Sequence, residues 1–274
     1  MTFPKAILFD LDDTLFDHQR ASTIALRAMH AAHAPHLPFD AFAQCHRDVL
    51  EKFHRHYLDG QFTLDEARTA RMKFLFASFG IDIDDATINA AAALYRQQHQ
   101  ANRALLPGAL ELLTALQPQA RLGIVTNNST VEQHEKLRAL GIAHFFDTVV
   151  ISEDAGFAKP DPRIFAIALE RIGARAEESV FLGDSWQNDV QGALSAGIGA
   201  IWLNRIADKE TPALERTASH FVPETLTSAG VSFSSPVEIN SLTPLSTVLA
   251  AIKKAFTKRT PGVTENEQLE TLAS

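Results

Sequence analysis

Four short apolar runs, far apart in the chain, each lead into a residue able to hold a metal ion or a phosphoryl group. Ala6-Ile-Leu-Phe9 runs into Asp10-Leu-Asp12-Asp-Thr14, and Leu122 to Val125 runs into Thr126. Thr148 to Ile151 is followed a few residues later by Lys159-Pro-Asp-Pro, and Ser179 to Leu182 by Gly183-Asp184-Ser-Trp-Gln-Asn-Asp189. Continuous β-branched and aliphatic runs of this length read as strands covered on both faces. Parallel strands joined by right-handed crossovers bring all their carboxyl ends to one edge, which is where open α/β sheets bind ligands. One lone carboxylate would mean little, but four such ends on one edge constrain topology and chemistry together.

The segments between these runs carry helix signals. Ser129-x-x-Glu132 is a capping box opening a helix that stops at Gly141, and Pro162 opens another that stops at Gly173. With Lys5 to Phe9 as strand one and a further apolar run at Ala200 to Leu203, strand and helix alternate. The pattern predicts a doubly wound, Rossmann-like parallel sheet in an α/β core. Residues 18–104 break the rhythm with helical periodicity alone, in four helices: Gln19 to His33, Phe39 to Tyr57, Thr63-x-x-Glu66 to Gly80, and Asp84 and Asp85 toward Arg103. We therefore expect a catalytic core of residues 1–17 and 105–256 and an all-helical cap of 18–104. Hinges are expected near Asp17 and at Leu106-Pro107-Gly108. His220 to Val222 and Val237 to Ile239 compete for the last strand. The second is preferred because an amphipathic helix, Leu242 to Phe256, follows it closely. The 223–236 stretch between them reads as an irregular insertion, and the polar residues 257–274 as a flexible tail.

Composition narrows the function. A net charge of −8 argues against nucleic acid, and four apolar residues near the start are too few for a signal-peptide core or a membrane span. Cys45 is the single cysteine, which excludes an internal disulfide and suits a reducing compartment; a cytoplasmic monomer or homodimer is expected. With 46% hydrophobic residues the chain can bury a large core unaided.

The chemistry follows from the residue types. Asp10 can offer one oxygen to Mg²⁺ and the other to phosphorus, giving an aspartyl-phosphate. Asp12, two residues on, points to the same side and can protonate a leaving alkoxide, then activate water. Mg²⁺ prefers hard oxygen ligands, which Asp184 and Asp189 can supply, Asp189 directly, through water or by orienting Asp184. For Asp189 a simple helix-start carboxylate is an equal alternative. Thr126 and the backbone from Asn127 to Thr130 lie at a helix amino terminus, an anion cradle, and Lys159 can neutralise charge on Asp10 and on the transferring group. Asp17, His18, Arg71 and Trp186 border the expected cleft; His18 and Arg71 are the candidates for reading the rest of a substrate, with packing or solvation as the plainer alternative for each. His30, His33, His36, His46, His54 and His56 crowd the cap without a repeating ligand spacing, and are expected to be solvated on helix faces.

In these motifs, from Lys5 to about Leu203, the chain resembles the haloacid dehalogenase superfamily, in its phosphatase branch with a helical cap after the first strand. The resemblance implies the same roles for Asp10 and Asp12, and a metal held by the Asp12 carbonyl as well as the Asp10 carboxylate. It departs at Asn128, where the family usually has Gly; Asn tolerates positive φ well. Dehalogenase members lack an acid at the position of Asp12, so a phosphatase is favoured, while sugar phosphomutases keep both acids. A phospho-receiver module also uses Asp, Thr and Lys, but carries its phosphorylated Asp at the third strand. The expected substrate is a small phosphorylated metabolite, such as a nucleoside monophosphate, a sugar phosphate or phosphoglycolate.

Overall fold

In the computed structural model, which describes residues 3–205 and 236–257, six strands form one parallel sheet. They are β1 (Ala6–Phe9), β2 (Arg121–Thr126), β3 (Thr148–Ile151), β4 (Ser179–Gly183), β5 (Gly199–Leu203) and β6 (Val237–Ile239), in the order β3-β2-β1-β4-β5-β6. The helices along the chain are α1 (His18–His33), α2 (Phe39–Leu58), α3 (Leu64–Ala77), α4 (Asp85–Ala101), α5 (Ala109–Leu116), α6 (Thr130–Ala139), α7 (Ser152–Ala155), α8 (Pro162–Ile172), α9 (Gly192–Ser195) and α10 (Leu245–Thr257). The chain leaves β1 toward β2 and β3, then crosses back to build β4, β5 and β6 on the other side. The strand order therefore reverses between β1 and β4, where a crevice opens at the carboxyl edge.

The apolar runs serve two cores at once. Along β1, Ile7 and Phe9 join one hydrophobic cluster while Ala6 and Leu8 join the other, and all four are fully buried. The first cluster takes Leu112 and Leu116 of α5, Leu137 of α6 and Val248 and Ile252 of α10. The second takes Ile164, Phe165 and Ala168 of α8 and Ala193 of α9. This alternation is why the strand sequences read as continuously apolar rather than two-sided.

Val237–Ile239 is the last strand, parallel to β5; His220 to Val222 and the tail beyond Thr257 lie outside the described residues, as does all but the last residue of the 223–236 stretch. The closing helix begins at Leu245, three residues later than the periodicity suggests, because Pro244 disfavours helical backbone in Thr243 before it. At α6 only half of the expected capping box forms. Ser129 accepts from the Glu132 N–H at 3.4 Å, but the Glu132 carboxylate is drawn instead to Arg68 of α3 at 2.6 Å.

Helices α1–α4 build a separate apolar cluster that includes Met29, Phe42, Met72, Phe76, Ile88 and Tyr95. The two connections to the sheet run side by side: the Asp17 N–H donates to the Ala104 carbonyl at 3.0 Å and the Leu106 N–H to the Leu15 carbonyl at 2.8 Å. The cap histidines are less solvated than their helix positions imply. His46 is 3% exposed and packs at a tilt against the Tyr95 ring, and His30 bonds the Leu37 carbonyl at 2.9 Å between Phe39 and Phe42. Of the six, His36 alone is exposed. No helix among the described residues is long and apolar enough to cross a membrane.

Candidate active site

Asp10 follows β1 directly, and its N–H donates to the Leu182 carbonyl at 3.0 Å, extending the pairing with β4. The chain then turns tightly, with the Leu15 and Phe16 N–H groups converging on the Leu11 carbonyl at 3.0 and 2.9 Å. Asp13 has φ 60°, a left-handed conformation that Asp adopts more readily than most residues. This turn brings the Asp12 side chain beside Asp10, and both line the same cavity.

Asp10 is 6% exposed, and its Oδ1 accepts from the Lys159 ammonium at 2.6 Å; Thr14 approaches Oδ2 at 3.4 Å. Lys159 also donates to Asp189 Oδ1 at 2.6 Å, and Asp189 Oδ2 accepts from the Ser185 N–H at 2.9 Å. Asp189 packs over Gly183: a Cβ there would lie 2.5 Å from its carboxylate, so the glycine at the end of β4 makes room for the acid. Burial, with the like charges of Asp189 and Asp12, pushes the Asp10 carboxyl above its ordinary range against the pull of Lys159. Burial would lower Lys159, but its two carboxylates outweigh that and raise it.

Carboxylate oxygens of Asp10, Asp184 and Asp189 lie within 4.8 Å of one another. Two buried carboxylates share one ammonium, leaving net negative charge where Asp184 brings a third hard oxygen donor. That donor set fits Mg²⁺. The Asp184 carbonyl is fixed by the Trp202 indole N–H at 3.0 Å. Asp189 thus lies with Asp10 and Asp184 as well as near the start of a helix.

Two residues of the site escaped the sequence reading. Lys136 of α6 is 1% exposed and donates to both oxygens of Asp12 at 2.8 Å. Gln133, one turn earlier, donates to Thr126 Oγ1 at 2.7 Å and approaches Asp12 Oδ2 at 3.2 Å. Burial would raise the Asp12 carboxyl, but Lys136, His18 and the Gln133 bond hold it well below the usual carboxylate range. The available signal was the spacing of Gln133 and Lys136, which puts both on one face of a helix beginning beside Thr126. The Asn127 side chain has a structural task besides the phosphate-binding role expected of this residue. Its amide clasps the Lys159 backbone, donating to the carbonyl at 2.9 Å and accepting from the N–H at 2.8 Å.

The cavity, about 580 Å³, lies between sheet edge and cap, with Asp10, Asp12, Thr126, Lys159 and Asp184 on the core side. His18 and Arg71 line its cap side. His18 Nδ1 contacts His99 Nε2 at 3.2 Å and its Nε2 contacts Ser22 Oγ at 3.1 Å. Asp17 and Trp186 do not line the cavity. Asp17 caps α1 and pairs with Arg205 at 3.2 Å, and Trp186 packs edge-on against Trp202, because the widened helical turn over Trp186–Gln191 directs the indole back to the sheet.

The chain is similar to known proteins over most of its length. The HAD-hydrolase YfnB of Bacillus subtilis is 34% identical over 201 residues, 73% of this chain and 84% of that protein. Its magnesium-bound crystal structure, described as revealing interdomain movement, superposes with a TM-score of 0.69, covering 91% of this chain and 100% of that one. A glyceraldehyde 3-phosphate phosphatase of Methanothermobacter thermautotrophicus is 35% identical over 208 residues, covering 73% of this chain and 85% of its own. The pyrimidine 5'-nucleotidase YjjG of Escherichia coli is 31% identical over 202 residues, 72% and 85% of the respective chains. Residues 4–197 match the haloacid dehalogenase-like hydrolases as a family, and the chain belongs to it.

Proposed function

We propose that this protein is a Mg²⁺-dependent phosphatase acting on a small phosphorylated metabolite through an aspartyl-phosphate on Asp10. The observation that carries the reading is the division of labour between the Asp10 oxygens. Oδ1 is bound by Lys159 at 2.6 Å, while Oδ2 meets only a 3.4 Å contact with Thr14 at the cavity wall. An oxygen held this lightly can attack phosphorus. The phosphatase and nucleotidase names of relatives at 31% and 35% identity support the same reaction class.

Asp10, Asp184 and Asp189, with the Asp12 carbonyl, would hold Mg²⁺, which when bound supplies the positive charge that a phosphate monoester dianion needs before an anionic nucleophile can approach. Thr126 and Lys159 bind the phosphoryl oxygens and so orient phosphorus toward Asp10, Lys159 aligned by the Asn127 clasp. As the new bond from Asp10 to phosphorus forms, the bond to the ester oxygen breaks and the leaving alkoxide takes a proton. The Asp12–Lys136 pair, joined at 2.8 Å, carries that proton as a unit and recovers it from the water that cleaves the acyl phosphate. Phosphate leaves and Asp10 is regenerated. A carboxylate paired this closely with a buried ammonium, able to relay a proton to and from a leaving alkoxide, favours a phosphatase over a dehalogenase.

Residues 18–104 act as the lid and 1–17 with 105–256 as the catalytic body. Their closure is supported by Arg68 to Glu132 at 2.6 Å and Tyr57 to Glu153 at 3.3 Å, which join cap helices to α6 and α7.

The test is turnover of a phosphate-monoester panel by the purified protein with Mg²⁺, after chelation, with Ca²⁺, and in Asp10→Asn. Chelation should abolish turnover and Ca²⁺ should inhibit, since a larger ion with more ligands can draw both Asp10 oxygens into coordination. Asp10→Asn should lose at least about 10⁴-fold in kcat while remaining folded. Appreciable turnover by the chelated enzyme or the variant would refute the mechanism.

A further inference from the structure

We propose that the substrate carries a second anionic group and that Arg71 of α3 binds it on the cap side of the cavity. This rests on the phosphatase reading and names the substrate class of the same site. Arg71 lines the cavity yet is only 9% exposed. Among the described residues it has no ion pair and no hydrogen bond, and its Nε is wholly enclosed without a partner. The Tyr95 ring lies 5.2 Å from the guanidinium carbon. Burial pushes its pKa down from the ordinary value, as desolvation of a cation must, but a guanidinium keeps its proton in proteins.

A buried cation without a counter-ion is among the costlier arrangements a fold can hold. The surrounding charges make the exception plain. Arg68, one turn before it, is bound to Glu132 at 2.6 Å and lies 3.6 Å from Asp65. Lys136 and Lys159 are bound to Asp12, Asp10 and Asp189. Glu51, on the same wall, is taken by Arg55 at 2.9 Å. Among the described residues no carboxylate pairs with Arg71: Glu132, whose charge reaches it, is held by Arg68, so an anion entering the cavity would be its direct partner. The phosphoryl group is bound on the core side, so the Arg71 ligand is a different group of the same molecule. A guanidinium fork accepts a carboxylate or a second phosphoryl group bidentately, and the two share this chemistry.

The experiment compares kcat/KM for ω-carboxyalkyl phosphates of increasing length with ω-hydroxyalkyl phosphates of the same lengths, and with the matching alkanediol bisphosphates, in wild type, Arg71→Met and Arg71→Lys. A charge-assisted, largely desolvated contact should favour the charged ester by about 10- to 100-fold at the best length, chiefly through KM. The ratio should fall to near one in Arg71→Met and be partly kept in Arg71→Lys. The carboxylate and bisphosphate arms identify which anion is meant. A wild-type ratio near one at every length, or an undiminished ratio in Arg71→Met, would overturn the proposal. Should Arg71→Met fail to fold, competition between ω-carboxyalkyl phosphonates and plain alkyl phosphonates on the wild type decides, with equal inhibition overturning it. Absence of Mg²⁺-dependent turnover for every ester would sink the phosphatase reading instead; calorimetric binding of the same phosphonates would still decide whether a second anion is recognised.

Discussion

The core and cap sides of the cavity treat charge differently. On the core side, Lys159 holds Asp10 and Asp189 at 2.6 Å and Lys136 holds Asp12 at 2.8 Å, all before any substrate is present. On the cap side, among the described residues, Arg71 is buried without an ion pair, and His46 is buried with an unpartnered Nε2. Groups that must meet a transition state gain from being fixed in advance, since they then need no reorganisation during the reaction. Groups that choose among substrates gain from being satisfied only by the right one, because an unpaired buried polar group penalises every wrong ligand. Among the described residues, Asp10, Asp12 and Asp189 at the sheet edge are therefore paired with lysines in advance, whereas Arg71 on the cap side has no ion pair.

Removing Lys159 should test the first half most severely. In Lys159→Met, the buried Asp10 and Asp189 carboxylates lose their shared partner, which should cost about 3–5 kcal/mol of stability. Catalysis should fall by about 10²- to 10³-fold for every ester alike, because Lys159 serves the phosphoryl group common to all. Urea unfolding and kcat/KM across the charged and neutral esters provide the readouts, and a loss confined to charged esters would erase the distinction between the two sides. Lys136→Met should do less, on the order of 10²-fold, because it acts through Asp12. The loss should appear in kcat, be largest with poor leaving groups, and be partly restored in Lys136→Arg. A change in KM alone would move Lys136 to the recognition side.

The two sides also differed in how far the sequence disclosed them. The six strands and the residues at their ends were readable because a parallel sheet turns a local pattern, an apolar run followed by a polar residue, into a shared location. Asp10, Thr126 and Lys159 come from three separate segments, yet the sheet edge gathers them. Lys136 and Gln133 were not read, because their meaning depends on where α6 packs, and a polar residue on a helix ordinarily faces water. Trp186 failed for the opposite reason: its sequence distance from Asp184 is short, but the widened turn carries it away from the cavity. In the cap, periodicity gave the helices but could not tell a buried imidazole at His46 from a solvated one at His36. Which face of a helix meets which neighbour is a tertiary fact.

His46 allows the smallest and sharpest comparison, through pH. Burial, with Arg71, His18 and Arg47 nearby, lowers its pKa from 6.5 to about 3, so the folded cap holds it neutral. Below 6.5 the unfolded chain binds a proton that the folded one refuses, so this group's contribution is intact above about 6.5 and is lost progressively as pH falls toward about 3. Asp10 acts with the opposite sign, because a raised carboxyl lets the folded state keep a proton as pH rises. The total pH dependence therefore mixes the two sides of the cavity, and a variant is needed to separate them. His46→Phe keeps a flat ring against Tyr95 and removes the titration. Between pH 7.5 and 5.5 the wild type should lose roughly 1 kcal/mol more than this variant, whatever the absolute stability of either. Denaturant unfolding at the two pH values measures the difference. Parallel pH dependences would mean that His46 is protonated within the fold or reached by water, and that the cap interior is better satisfied than its unpartnered polar atoms indicate.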